Sequence, residues 1–335
     1  MKTTEEYNQF YKTELKQSLE QLEAKRLAIA NRFSYKRYKR NLVILLVIDI
    51  SIGISTNFEW FPQSLIGVIP GSVLYAIFAP LYIFFRRNWS FDPINKEYKE
   101  KVIPKIISFF GSQLTYKPTE GITLREFNQS SLFKMATACD SEDLVEGQID
   151  GISIRLSDVN ARRSADNNNH TLMMGLYGVI KLNKAVSSRV TISQSNIYNI
   201  DLTKYTKPTN QFMEQILGST VVKAIHDTAH LQFIKTGHQD FDQNFQVTCA
   251  EESIALQLLN PTLCQIMVAV KKELGELGFF PFIKMAMFDD QLHIAFGGVD
   301  LFEGSANRSF VEKDSSKTYF HVMNYVVGIA KAAMM

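Results

Sequence analysis

The residues of this chain best spaced for chemistry are His226, Asp227 and His230, with His238 and Asp240 following shortly after. Histidines at positions i and i+4 share one helix face and suit a metal ion, with His238 or Asp240 as a third ligand. The glutamate that acts as general base in the zinc-protease pattern is missing between them, so a possible metal site around His226 and His230 is the only residue-level argument for an enzyme. On this pattern alone no residue is assigned a catalytic, cofactor-binding or metal-ligating role. Asp49 is the other outlier, a carboxylate inside a strongly apolar stretch. Buried in a bilayer it must stay protonated or bond to Ser51, Ser55, Ser72 or Tyr75, or else serve an ion path.

Common catalytic signatures are absent. There is no Walker loop, GxGxxG, GxSxG or HExxH, which lowers the expectation of phosphate, dinucleotide, esterase or zinc-protease chemistry. Cys139, Cys249 and Cys264 are odd in number and lack CxxC spacing; they read as small core residues in a reducing compartment. A net charge of +2 on 335 residues, with its basic clusters beside apolar runs and not among aromatics, argues against nucleic acid.

What must position these residues is first a membrane element. Leu42 to Phe58 and Leu65 to Phe85 contain no Lys or Arg. At helical rise they reach about 26 Å and about 31 Å, against a hydrocarbon core of about 30 Å. Lys36, Arg37, Lys39 and Arg40 precede the first stretch and Arg86 and Arg87 follow the second, while the connection carries Glu59, Trp60, Phe61 and Pro62. The positive-inside rule then places both termini in the cytosol of a multi-pass inner-membrane protein. Domain bounds follow as 1–40, an amphipathic basic helix; 41–87, the two-helix transmembrane hairpin; and 92–335, a cytosolic domain.

In the arm, Leu15, Leu19, Leu22, Ile29 and Phe33 alternate at spacings of four and three, with Arg26 in the missing seam position. That pattern predicts a helix lying on the rest of the protein, or weakly self-associating into a homo-oligomer. Its basic end suits anionic lipid headgroups. Beyond Phe91 a helix is expected with Pro93 in its first turn and a break at Pro104. Strands follow around Leu114, Val145, Ile154, Tyr177 and Val190, with a hairpin turn at Asp150 and Gly151 and an exposed loop at 164–170. A helical stretch over 210–234, strand FQVTC, helices at Glu251–Leu259 and from Pro261, strands FIKMAMF and QLHIAF joined at Asp289 and Asp290, and a last helix near Lys317 complete an α+β, mostly antiparallel domain.

Three segments carry a resemblance: YKEKVIPKIISFF at 98–110, DLVEGQIDGISIRLSDVNA at 143–161, and FQVTCAEESIALQLLNPTLCQIMVAVKKEL at 245–274. With LMMGLYGVIKLNK and DDQLHIAF in the same order, the chain resembles the bacterial family known as domain of unknown function 3137 over most of residues 90–310. Leu259, Asn260 and Pro261 stand where members tend to read Leu-Thr-Pro. The resemblance implies a membrane-anchored protein with a cytoplasmic α+β domain, similar to proteins encoded beside LemA-type membrane proteins, and it carries no catalytic residues or cofactor. The leading functional expectation is a membrane-tethered binding or scaffold module with an unknown protein partner. An enzyme of unrecognised type and an oligomeric channel accessory built around Asp49 are the alternatives.

Overall fold

The computed structural model describes residues 2–33, 35–55, 71–165, 168–194, 231–276, 282–304, 309–311 and 315–335. Its contacts divide into two compact units, one of residues 13–102 and 303–314, the other of residues 1–12, 103–302 and 315–335.

The smaller unit is helical. Helix α2 (Lys16–Arg32) and helix α3 (Tyr35–Ser55) follow one another, and α4 (Gly71–Lys101) packs against both. The seam read from the sequence is a packing face, with Leu15, Leu19 and Leu22 buried. Arg26 is tolerated there because Glu23 accepts from its guanidinium at 2.6 and 2.9 Å and also takes the Phe310 amide at 2.9 Å. The Arg26 hydrogen bond, ahead of its charge, holds the Glu23 carboxyl below its ordinary range. Pro93 does not open a helix as expected; it lies within α4, which runs on unbroken from the second apolar stretch to Lys101.

Among the described residues no single helix is long and apolar enough to cross a membrane. The apolar part of α4 from Gly71 to Phe85 reaches about 22 Å, and that of α3 from Leu42 to Ser55 about 21 Å; the remaining parts of both stretches, 56–70, lie outside the described residues. One bent pair, Glu252–Leu258 with Pro261–Glu276 at 71°, passes by length and composition. Its second helix buries Leu263, Cys264, Met267, Val270 and Leu274 and carries Lys271, Lys272, Glu273 and Glu276, the pattern of a core helix.

The larger unit is α+β, and every strand pairing among its described residues is antiparallel. Strands β1 (Leu114–Lys117), β2 (Ala138–Ile149), β3 (Ile152–Ala165), β4 (Asn168–Gln194), β6 (Phe245–Cys249) and β5 (Gln232–Ile234) neighbour one another in the order β1-β2-β3-β4-β6-β5, and β7 (Phe282–Gly297) pairs with β4. Asp150 (φ +51°) and Gly151 (φ +80°) make the expected tight turn between β2 and β3. The polar stretch 164–170 is not a long loop: Ser164 pairs with Asn169 and Ala165 with Asn168, so both strands run to the hairpin tip. The expected helix over 210–234 is a strand where it is described, at Gln232–Ile234; residues 210–230 lie outside the described set.

Strand β7 reverses at Asp289, which has φ +49°. Its ends meet: a Cβ built at Gly297 falls 2.1 Å from the Phe282 ring, so a larger residue there must displace that ring. Each arm pairs with its own half of β4, 284–287 with 193–190 and 291–297 with 181–175. One sheet face is covered by the segment from Ile122 to Ala136, which contains α6 (Leu124–Gln129); Phe127, Leu132 and Phe133 pack there on Val159, Met173, Tyr177 and Phe288. The opposite face buries Leu156, Ile180, Ile192 and Ile294. Helices α5 (Ile103–Phe110), α7 (Gln239–Asn244), α8 (Glu252–Leu258), α9 (Pro261–Glu276) and α10 (Ser315–Ala333) complete the unit with α1 (Thr4–Phe10).

Candidate functional site

Of the histidine constellation, His226, Asp227 and His230 lie outside the described residues. His238 is the N-cap residue of α7, and Asp240 sits in its first turn. The loop ahead of them is organised by Asp242, whose carboxylate accepts from the Thr236 amide (3.0 Å), the Thr236 hydroxyl (2.9 Å) and the Gly237 amide (3.1 Å). Among the described residues no group of three His, Cys, Asp or Glu side chains is placed to hold a metal. The cysteines are free; Cys249 and Cys264 are buried, and burial pushes the Cys139 and Cys264 thiols up to about 11, where the reactive thiolate is scarce. Asp49 lies within α3. Of its proposed partners, Ser51 bonds back to the Val47 carbonyl at 2.8 Å, and the Tyr75 hydroxyl accepts from Asn41 at 3.3 Å.

Two features stand out among the described residues. The first lies beneath the Ile122–Ala136 segment. Arg189 from β4 and Lys284 from β7 are only 5 % and 6 % exposed. Arg189 donates to the Ser130 carbonyl at 2.8 Å with its guanidinium 3.7 Å from the Phe288 ring centre. Lys284 donates to the Leu132 carbonyl at 3.2 Å and lies 4.6 Å over the Phe133 ring. Between these two acceptors stands Ser131, at φ +52°. Beside them, His293 bonds the Tyr177 hydroxyl at 3.0 Å and the Gln291 amide oxygen at 2.9 Å, and stacks on Phe288.

Burial pushes the Lys284 amine down to about 8, and burial, then the Arg189 charge, pushes His293 down to about 3. Chemically the cluster is a pair of cations and a neutral imidazole fastening a turn to the sheet. Strand alternation carries no signal for it, since Arg189 alternates with the apolar Val190 and Ile192 and so reads as a solvent-facing residue. A second, separate concavity is lined by residues 182–187 of β4, by Ile254, Gln257 and Leu258, and by Ala333 to Met335; Lys184 is the one charged side chain on its wall among the described residues.

The other feature belongs to the helical unit. On α3, Val43, Ile44, Val47 and Ile48, and on α4, Ile77, Phe78, Leu81, Tyr82, Phe84 and Phe85, are each between 46 % and 61 % exposed. An exposed apolar surface this continuous marks an interaction site. Lys36, Lys39 and Arg40, also exposed, adjoin it. The helices run antiparallel, since Lys25 of α2 pairs with Glu97 while Tyr38 of α3 stacks on Tyr75 at 5.5 Å. Their apolar stretches are not matched end to end. The basic run stands beside Tyr75, ten residues short of the Phe85 end, a stagger of roughly 15 Å.

Comparison with known proteins adds a family resemblance over part of the chain and no activity. No curated protein matches the chain. The crystal structure of the mycobacterial trehalose monomycolate transport factor A, TtfA, aligns with a TM-score of 0.33 at 8 % identity, covering 65 % of this chain and 86 % of that one. Residues 171–333, from the middle of β4 to the end of α10, match the model of a protein of unknown function, DUF3137. That match, over just under half of the chain, supports the resemblance to the DUF3137 family read from the sequence.

Proposed function

We propose that this chain is a membrane-tethered binding module, held at an anionic lipid surface by α3 and α4, with the sheet unit serving to bind a protein partner on the cytosolic side. The observation that carries this reading is the exposed apolar surface of the helix pair adjoined by Lys36, Lys39 and Arg40. Apolar side chains of that size gain on transfer from water to hydrocarbon, and each adjacent lysine or arginine contributes about 1 kcal/mol against an anionic leaflet. The absence of a known catalytic motif in the sequence agrees with a binding role for the rest of the chain.

Flotation of the full chain with phosphatidylcholine vesicles, with and without phosphatidylglycerol, tests the tether. Binding should persist in high salt and strengthen with the anionic lipid. A Phe78→Asp, Leu81→Asp variant should lose it, because charges placed on that surface must then be desolvated. A detergent-free chain that stays monodisperse and ignores both vesicle types removes the proposal.

A further inference from the structure

Between Lys181 and Val186, β4 steps out of its ladder with β7. Lys181 stands opposite Gln291 and Val186 opposite Asp289, so the stretch from Leu182 to Ala185 faces only Asp290. A bulge of this size re-aims side chains that regular pairing would hold against the sheet. Leu182 and Val186 turn inward at 5 % and 8 % exposure, while Asn183, Lys184 and Ala185 between them are exposed. Together with α8 and the end of α10 this bulge encloses a concavity of about 130 Å³. Asn260 fixes its far walls, donating to the Ala332 carbonyl at 2.7 Å and accepting from the Leu263 amide at 2.9 Å. The lining is apolar at Leu182, Val186 and Leu258 and polar at Asn183, Lys184 and Gln257. Among the described residues, the last three side chains make no hydrogen bond or ion pair. Asp290, the acid of the facing turn, is paired with Lys181 at 3.7 Å.

An apolar recess bordered by one unopposed cation and two amide groups suits a molecule with an apolar body and one anionic end. Volume limits the body, since a cavity of about 150 Å³ takes a guest the size of benzene. We infer that this concavity binds a small amphiphilic carboxylate with a body of about five or six carbons, and that Lys184 selects its charged end. The site lies wholly within the sheet unit and does not depend on the lipid tether.

Methionine methyl NMR of the full chain in phosphatidylcholine nanodiscs tests this, because Met334 and Met335 border the concavity while Met267, buried in α9, serves as an internal reference. Hexanoate should shift the Met334 and Met335 signals saturably, with a dissociation constant on the order of millimolar, and leave Met267 unmoved. Acetate lacks the body and hexylammonium reverses the charge; each should bind at least about tenfold more weakly. Lys184→Gln, a change at an exposed position, should weaken hexanoate about fivefold, the most that a solvent-screened ion pair supplies. An absent or unsaturable hexanoate shift overturns the site. Equal binding of hexylammonium and hexanoate, or wild-type hexanoate affinity in Lys184→Gln, overturns the assignment of Lys184 and of the carboxylate.

Discussion

The Tyr7 hydroxyl lies 2.7 Å from the Ser316 hydroxyl, a buried hydrogen bond between residues 309 positions apart. It belongs to a broader contact in which the Tyr7 ring stacks on Phe320 at 4.7 Å, Phe10 stacks on Phe109 at 4.4 Å, and Asn324 brackets Lys2 by accepting from its amide at 3.0 Å and donating to its carbonyl at 3.1 Å. The capping box of Thr3 and Glu6 explains why α1 starts where it does, presenting Tyr7 and Phe10 to the sheet unit. Tyr7→Phe should lower stability by about 1 kcal/mol, the usual net worth of one hydrogen bond, and Tyr7→Ala by about 3–5 kcal/mol. Urea unfolding of the full chain measures both. Equal, negligible losses would mean the first turn of the chain contributes nothing to the larger unit.

Gly175 offers a sharper test of the sheet. It has φ +137°, and a Cβ there would lie 2.5 Å from the Phe296 carbonyl oxygen on the facing arm of β7. Gly175→Ala thus combines a disfavoured backbone region with a clash against main chain, and should cost more than about 2 kcal/mol. Gly275, near the end of α9, has nothing within 4 Å of the same atom. Gly275→Ala should be neutral or stabilising by about 0.5–1 kcal/mol. Thermal unfolding of the pair separates a required glycine from an incidental one.

Much of this architecture is legible from local pattern. Period-two alternation at Ile152, Ile154 and Leu156 and the Asp150–Gly151 pair specify a hairpin that needs no distant partner, and the Asp289–Asp290 turn is legible for the same reason. What failed was decided by long-range packing. Pro93 reads as a helix start, yet α4 passes through it, because Phe91, Ile94 and Tyr98 are buried on one face and hold the helix across the proline. Gln232–Ile234 reads as the tail of a helix but pairs with β6, a contact set by residues beyond its own window. The cation cluster was hidden for a similar reason. Arg189 and Lys284 are 95 positions apart in sequence, and only the pairing of β7 with β4 puts both under one turn.

His293 should stay neutral across the physiological range. With Gln291 presenting its carbonyl oxygen, Nε2 carries the proton and Nδ1 accepts from Tyr177, so nitrogen NMR should show one fixed tautomer from pH 5 to 8. The unfolded chain protonates this histidine near pH 6.5, whereas the folded chain resists until about 3. The unfolded state thus binds more protons in that window, and stability falls as pH drops from 6.5 toward 3, by roughly 4–5 kcal/mol if the whole range is traversed. His293→Gln should flatten this acid limb. An unchanged limb, or an imidazole that titrates near 6.5, excludes the buried neutral state.

Lys284 acts at the opposite end of the pH scale. Burial lowers its amine from an ordinary 10.5 to about 8, so the folded chain releases this proton before the unfolded chain does. Below pH 8 the lysine is charged in both states and its desolvation opposes folding. Between 8 and 10.5 the unfolded state holds the extra proton, and stability attributable to Lys284 rises with pH by roughly 3 kcal/mol. Lys284→Met keeps similar volume, removes the titration, and leaves the Leu132 carbonyl without this donor at every pH. The unfolding free energy of wild type relative to the Met variant should therefore increase steadily from pH 8 to 10.5 and be flat from 6 to 7.5. Urea titrations at several pH values read this difference directly, with contributions from other tyrosines, cysteines and lysines cancelling between the two proteins. Parallel curves across the alkaline range would show that Lys284 keeps its ordinary basicity, and hence that the turn at Ser130 to Leu132 does not seal it from water.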